Sequence, residues 1–300
     1  LIDAERTWHE STLTGELSMK LCRFTFNGST RLGKIEGNDV VDLSAVVDTG
    51  NSMRLLLERL DTLRPLLGFA GGPRIPLQQV KLESPINDPR KYLIIGMNYQ
   101  AHAKEAAAAG IPIPASQLWT NKQVSCITGP YDPILLPAKS DKLDYEVELA
   151  FVVGKRCRHA SVENALSYVG GYLVANDVSV RDWQQLSTTH TLGKSFDSHG
   201  PLGPWITTAD EVPDPQALTL HLSVNGSERQ RSSTADMIYS VAAQIAHLSA
   251  MTTLEPGDII ATGTPSGVGV ARGVFLKAGD VVRAEIDGLG FIENVVEPEA

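Results

Sequence analysis

The stretch "LDYEVELAFVVG", residues 143–154, decides how this chain is read. It has the apolar, β-branched content of a buried strand, yet Glu146 and Glu148 sit two apart inside it. A strand places residues i and i+2 on one face, so the two carboxylates point the same way, roughly 6–7 Å apart. Unpaired, they would repel each other and resist desolvation. The simplest agent able to neutralise both is a divalent cation with a third ligand from elsewhere. "GYLVANDVSVRDWQ", residues 171–184, supplies Asp177 directly after an apolar strand, where a charge is again unexpected. Three carboxylates without histidine or thiolate suit a hard ion, so Mg²⁺ or Mn²⁺ ranks ahead of zinc, with Ca²⁺ also compatible. On spacing alone, E-x-E more often lines a solvated face; the apolar neighbours on both sides weigh against that here.

Outward from this stretch, strands dominate. From Met19 the chain reads "KLCRFTF", "TRLGKIEG" and "VVDLS" with tight turns between, Asn27-Gly28 being a strong hairpin signal. A short helix, "SMRLLLERL", takes Asn51 or Ser52 as its N-cap. A proline-bearing stretch without sustained period follows, and the boundary between a small N-terminal α+β domain (19–85) and a main domain (86–300) is placed there. The main domain offers the strands "KYLIIGM", "DYEVELAFVVG", "VGGYLVANDVSV", "ALTLHLSVNG", "DIIATG" and "DVVRAEIDGLGFIENVV". Two helices are expected, one from Ser161 to Tyr168 and one starting at Ser233 or Thr234 through "ADMIYSVAAQIAHLSAM". Strands outnumber helices without regular alternation, which disfavours Rossmann and TIM-barrel folds and favours a β-rich α+β architecture of long sheets folded over each other.

Composition excludes several classes. A net charge of −9 without basic clusters argues against a nucleic-acid surface, and no apolar run reaches the length of a membrane-spanning helix. Cys22, Cys126 and Cys157 are too scattered for a zinc site or disulfide framework, so reduced thiols and a cytoplasmic location are expected. Residues 1–18 carry no secretory or transit pattern and read as a leader or upstream extension before "MKLCRF". G-x-S-x-G, H-E-x-x-H, a P-loop and G-x-G-x-x-G are all absent, which removes the common serine-hydrolase, zincin and nucleotide chemistries and leaves no sign of an organic cofactor.

Three further constellations carry chemistry. In "GMNYQAHAKEA", His102 and Glu105 at i, i+3 lie side by side on a helical turn, and a carboxylate-oriented histidine can activate water near neutral pH. A surface pair has the same spacing. Lys194 lies in "GKSF" between His190 and His199. "GDIIATGTPSGVG" ends a strand in Thr262-Gly263-Thr264-Pro265, a turn able to offer N–H groups and a hydroxyl to a carboxylate.

Taken in order, "GMNYQAHAKEA", "DYEVELAFVVGK", "GGYLVANDVSVRDWQ", "GKSFDSHGPLGPWI" and "EPGDIIATGTPSGVG" resemble the fumarylacetoacetate hydrolase superfamily, nearest its acylpyruvase and diketo-acid hydrolase branch. The resemblance spans roughly residues 90–295. It implies a mixed β-sandwich or roll catalytic domain, a homodimer, and one Mg²⁺ or Mn²⁺ on Glu146, Glu148 and Asp177. It also implies His102 and Glu105 as the water-activating dyad, Lys194 as the active-site lysine, and Arg181, Gln184 and Thr264 as substrate-facing. Lys122 in "WTNKQVSC" falls on another substrate-facing lysine, although the segment departs from the Lys-Pro-Ser pattern usual there. The implied reaction is hydrolysis of a C–C bond in a 2,4-dioxo acid. Isomerases, decarboxylases and hydratases of 2-oxo or 2-hydroxy-dienoic acids are the alternatives on the same metal site. Arg158, Arg229 and Arg231 are the candidates for holding a second substrate carboxylate.

Overall fold

In the computed structural model, residues 19–68 and 71–299 are described; the expected leader, 1–18, lies outside them. The expected hairpins form: Lys20–Phe26 pairs antiparallel with Ser29–Glu36, which pairs with Asp39–Asp42. At the first turn Asn27 and Gly28 both take positive φ, +50° and +75°, the mirror-image turn whose twist suits two adjacent strands. These strands do not form a sheet of their own. Lys20 and Leu21 register against Thr207 and Ile206 of the strand Gly200–Thr208, which extends the sheet into the rest of the chain.

The resulting sheet has twelve strands among the described residues. Beyond Gly200–Thr208 it continues through Val169–Asn176, Val147–Val153, Ile259–Ala261, Tyr92–Gly96 and Leu118–Asn121. Most pairs are antiparallel, but Ile259–Ala261 runs parallel to Tyr92–Gly96, so the sheet is mixed. A second, five-stranded sheet is built on the meander Ser227–Ser233, Thr219–Val224, Val281–Ile286 and Gly290–Pro298.

Val147–Val153 shows why both faces of the long sheet are dry. Leu149, Phe151 and Val153 pack on one side with Leu220, Leu222, Ala284 and Ile292 of the second sheet. Ala150 and Val152 pack on the other side with Leu56, Leu57 and Leu63 of the N-terminal helices Met53–Glu58 and Leu60–Gly68. Alternation of period two therefore feeds two cores, as in a sandwich with a helical layer added. The second core joins residues of 19–85 to Tyr92, Leu173 and Ile206, so hydrophobic packing runs across the composition break near residues 80–90. Ser52 caps Met53–Glu58 by accepting the Leu55 N–H at 3.2 Å. The three cysteines are buried and unbridged. Among the described residues no helix is long and apolar enough to cross a membrane.

Two helix expectations change. The segment after Ser161 yields only a 3-10 turn, Ala165–Tyr168. At the expected start Ser233 caps only a 3-10 turn, Thr234–Asp236, and the long helix begins at Val241 with Ser240 as its N-cap. The cause is tertiary: Met237 bridges to Tyr99, and Asn98 takes the Ile238 and Tyr239 N–H groups at 2.7 and 2.8 Å. Those N–H groups are thereby diverted from any helix. Gly200–Thr208, which the sequence reading left as a motif only, is a nine-residue strand.

Candidate metal centre and active site

The ligand strand and its neighbour bring the acids together by register. Val147 lies opposite Asn176 and Glu148 opposite Ala175, so Asp177 emerges where Glu146 enters. The Asp177 N–H donates to the Glu146 carbonyl at 2.9 Å, fixing the two backbones at the point where regular pairing ends. One carboxylate oxygen each from Glu146, Glu148 and Asp177 lies within 4.8 Å of the other two. All three residues are buried, at 5%, 1% and 1% exposure.

Burial of three acids demands compensation. Lys194 Nζ bridges Glu146 Oε2 at 2.8 Å and Asp177 Oδ2 at 2.6 Å. Lys122 Nζ holds Asp177 Oδ1 at 2.6 Å, and the Arg181 guanidinium holds Glu146 Oε1 at 2.7 Å. Burial works to raise the Glu146 pKa, but Lys194 and Arg181 outweigh it and bring it down to about 2. Glu148 is different. Its one hydrogen-bond donor here is the Gly263 N–H at 2.8 Å, and burial, then the charges of Asp177 and Glu146, push its pKa well above the carboxylate range. Among the described residues no lysine or arginine pairs directly with it, and the nearby Lys194 charge offsets its position only in part.

The donor set therefore fits a small divalent ion: oxygen ligands only, from rigid strands, with one of them compensated only in part. The charge balance agrees. With Asp144, which binds Arg181 Nε at 2.8 Å, four carboxylates face the three cations Lys122, Lys194 and Arg181. A divalent ion would turn this single excess negative charge into a single positive one.

A second group hangs over the acids from the helix Gln100–Ala108. Alanine content favours this helix, but nine residues are too few to persist alone. It is anchored through Asn98, fully buried, whose Nδ2 donates to the Thr262 and Tyr239 carbonyls at 2.8 and 3.0 Å. Glu105 Oε2 lies 3.0 Å from His102 Nδ1. A carboxylate only accepts, so Nδ1 carries the proton and Nε2 is left as the acceptor. Glu105 also accepts the Gly267 N–H at 3.1 Å. Burial works against its ionisation, yet the His102 and Gly267 hydrogen bonds prevail and hold its pKa below the usual value. His102 lines the same pocket as the three acids, so dyad and acids face one space.

That space is a pocket of about 390 Å³ lined by His102, all three acids, Arg181, Gln184, Lys194 and Thr264. The Thr264 hydroxyl donates to the Val147 carbonyl at 2.9 Å, and Gln184 accepts from Arg181 at 3.0 Å. Lys122 departs from expectation. It is 2% exposed and outside the pocket lining, with Nζ spent on Asp177 and the Val178 carbonyl, so it neutralises an acid from behind.

Three structural supports escaped the sequence reading. Asp144 binds Arg181 and accepts the Gly269 and Val270 N–H groups at 2.7 and 2.9 Å, tying the glycine loop to the acids. Its signal was present, since Asp144, Glu146 and Glu148 continue one period-two series. Gln230 comes from the second sheet and joins the Val147 N–H, the Thr264 hydroxyl and the Pro265 carbonyl. Neither it nor Asn98 carries any local signal.

Comparison with known proteins agrees with this geometry. Residues 91–297 match the family model described as fumarylacetoacetate (FAA) hydrolase C-terminal. The chain is 42% identical over 293 residues to the mitochondrial oxaloacetate tautomerase fahd2 of Xenopus laevis, covering 93% of this chain and 91% of that one. Maleylpyruvate hydrolase from Sphingobium sp. SYK-6, solved with manganese(II) and pyruvate, is 36% identical with a TM-score of 0.81. That match covers 94% of this chain and 100% of the hydrolase. The 2-hydroxyhepta-2,4-diene-1,7-dioate isomerase of Mycobacterium marinum matches over the same shares at 32% identity and a TM-score of 0.76. Its members being hydrolases, isomerases and tautomerases, the family is one of enzymes, and this chain belongs to it: it is a member of the fumarylacetoacetate hydrolase family.

Proposed function

We propose that the chain hydrolyses a C–C bond in 2,4-dioxo acids with Mg²⁺ or Mn²⁺ held by Glu146, Glu148 and Asp177. The observation that carries this reading is the His102–Glu105 dyad set over a buried, undercompensated acidic triad in one pocket. When bound, the cation supplies Lewis-acid stabilisation for the negative charge that develops on the 2-oxo oxygen. Glu105 fixes the histidine tautomer, and His102 Nε2 takes a proton from a water that attacks the C4 carbonyl. The C3–C4 bond then breaks: C4 leaves as a carboxylic acid, and C3 accepts a proton to give pyruvate. Lys194, charged and buried, balances negative oxygen at the acidic end and can donate a proton there.

A second reading, keto–enol tautomerisation of a 2-oxo dicarboxylate, uses the same base without water attack. It is favoured by the identity to the Xenopus tautomerase. Acetylpyruvate with Mg²⁺ or Mn²⁺ separates them. We expect one pyruvate formed per diketone consumed, and full loss of turnover with EDTA. Oxaloacetate enol decay accelerated without pyruvate release from any acylpyruvate would replace hydrolysis with tautomerisation.

A further inference from the structure

Part of the pocket lining is apolar. Ile95, Met97, Leu118, Val268 and Val270 line it, and Ile111, 48% exposed, stands at its rim. Among the described residues lining the pocket, four side chains can carry positive charge, and each already has a hydrogen-bond or ion-pair partner. Lys194 and Arg181 are held by the acids. His102 gives Nδ1–H to Glu105. His190 donates through Nδ1 to the Gln184 carbonyl at 3.0 Å. The arginines expected to hold a second carboxylate lie elsewhere: Arg158 donates to the Ser249 carbonyl, Arg231 pairs with Glu228 at 2.7 Å, and neither these nor Arg229 lines the pocket.

We propose that this pocket selects 2-oxo acids with a single carboxylate and an uncharged, apolar substituent beyond the distal carbonyl, and rejects dicarboxylates of the same length. The inference rests on the reading of the site as a 2-oxo acid site. Two physical terms drive it. A second carboxylate would be desolvated against Leu118 and Val268 with no lysine or arginine in the lining free of the acids. Only neutral donors, Thr120 and the Gln184 and Gln185 amides, are there to meet it, whereas each added methylene gains from leaving water. Such selectivity would set this chain apart from the maleylpyruvate hydrolase it resembles, whose named substrate is a dicarboxylate.

Non-cleavable analogues test this by binding alone. Calorimetry on the full chain with saturating Mn²⁺ would compare 2-oxobutanoate, 2-oxohexanoate and 2-oxoadipate, the last two matched in length. We expect 2-oxohexanoate to bind about tenfold tighter than either of the others. Binding of 2-oxoadipate as tightly as 2-oxohexanoate, or no gain from 2-oxobutanoate to 2-oxohexanoate, overturns the selectivity and leaves the 2-oxo acid site standing. If none of the three binds, the 2-oxo acid reading falls and the selectivity falls with it.

Discussion

The floor and the lid of one pocket solve the same problem, a carboxylate held ionised or neutral at will, in opposite ways. The floor is strand-borne: Glu146, Glu148 and Asp177 are nearly solvent-free and locked by sheet register, two lysines and an arginine. The lid is a nine-residue helix whose His102 and Glu105 side chains are 16% and 25% exposed, held mainly by Asn98 beneath and by one N–H of the glycine loop. A rigid floor suits an ion whose site must exist before it arrives. A partly exposed dyad suits a base that would act on water, as proposed above. Binding should therefore be a property of the floor and turnover a property of the lid.

The largest test of that division is Glu148→Gln, which keeps volume and the Gly263 hydrogen bond. Mn²⁺ affinity should fall by more than about 100-fold, with turnover lost alongside it. Measured without metal, the same variant should melt higher than the unsubstituted chain. An acid whose pKa is raised on folding costs stability once pH exceeds its unfolded pKa, and neutral pH lies above that point. Unchanged Mn²⁺ affinity by calorimetry would remove Glu148 from the floor.

Next in size is His102→Ala. It should lower kcat by about 10²–10⁴-fold, the usual share of a general base, while Mn²⁺ affinity stays within about twofold. Loss of metal together with activity would erase the distinction between lid and floor.

The smallest effect sharpens the contact between the two. Gly267 sits at φ +104°, and a Cβ there would lie 2.2 Å from the Arg229 carbonyl oxygen. Gly267→Ala must shift the loop and with it the N–H that steadies Glu105. A kcat loss of about 10- to 100-fold is expected, with metal affinity unchanged. An unaltered kcat would show that His102 needs no support from that loop.

Local chemistry made part of this legible. Glu146, Glu148 and Asp177 stood out because charge interrupts apolar strands, and His102 and Glu105 because i, i+3 spacing on a helix is a contact. Turn chemistry at Asn27-Gly28 and the cap at Ser52 are equally local, which is why both were found. The partner of Lys122 could not be read from its neighbours: its ammonium reaches Asp177, 55 residues away. The late start of the helix at Val241 has the same origin, since Asn98 claims Ile238 and Tyr239 from 140 residues upstream or more.

By itself, then, the amino-acid order determined the strand-rich α+β class, the acids that meet at one strand end, and the dyad on its helix. These depend on periodicity and on the cost of burying charge, both of which act over a few residues. Only the tertiary structure decided that residues 19–85 share a sheet and a core with the rest, that Asp144 and Gln230 brace the site, and that part of its lining is apolar. Those outcomes depend on which distant surfaces exclude water together, and no local pattern encodes that pairing.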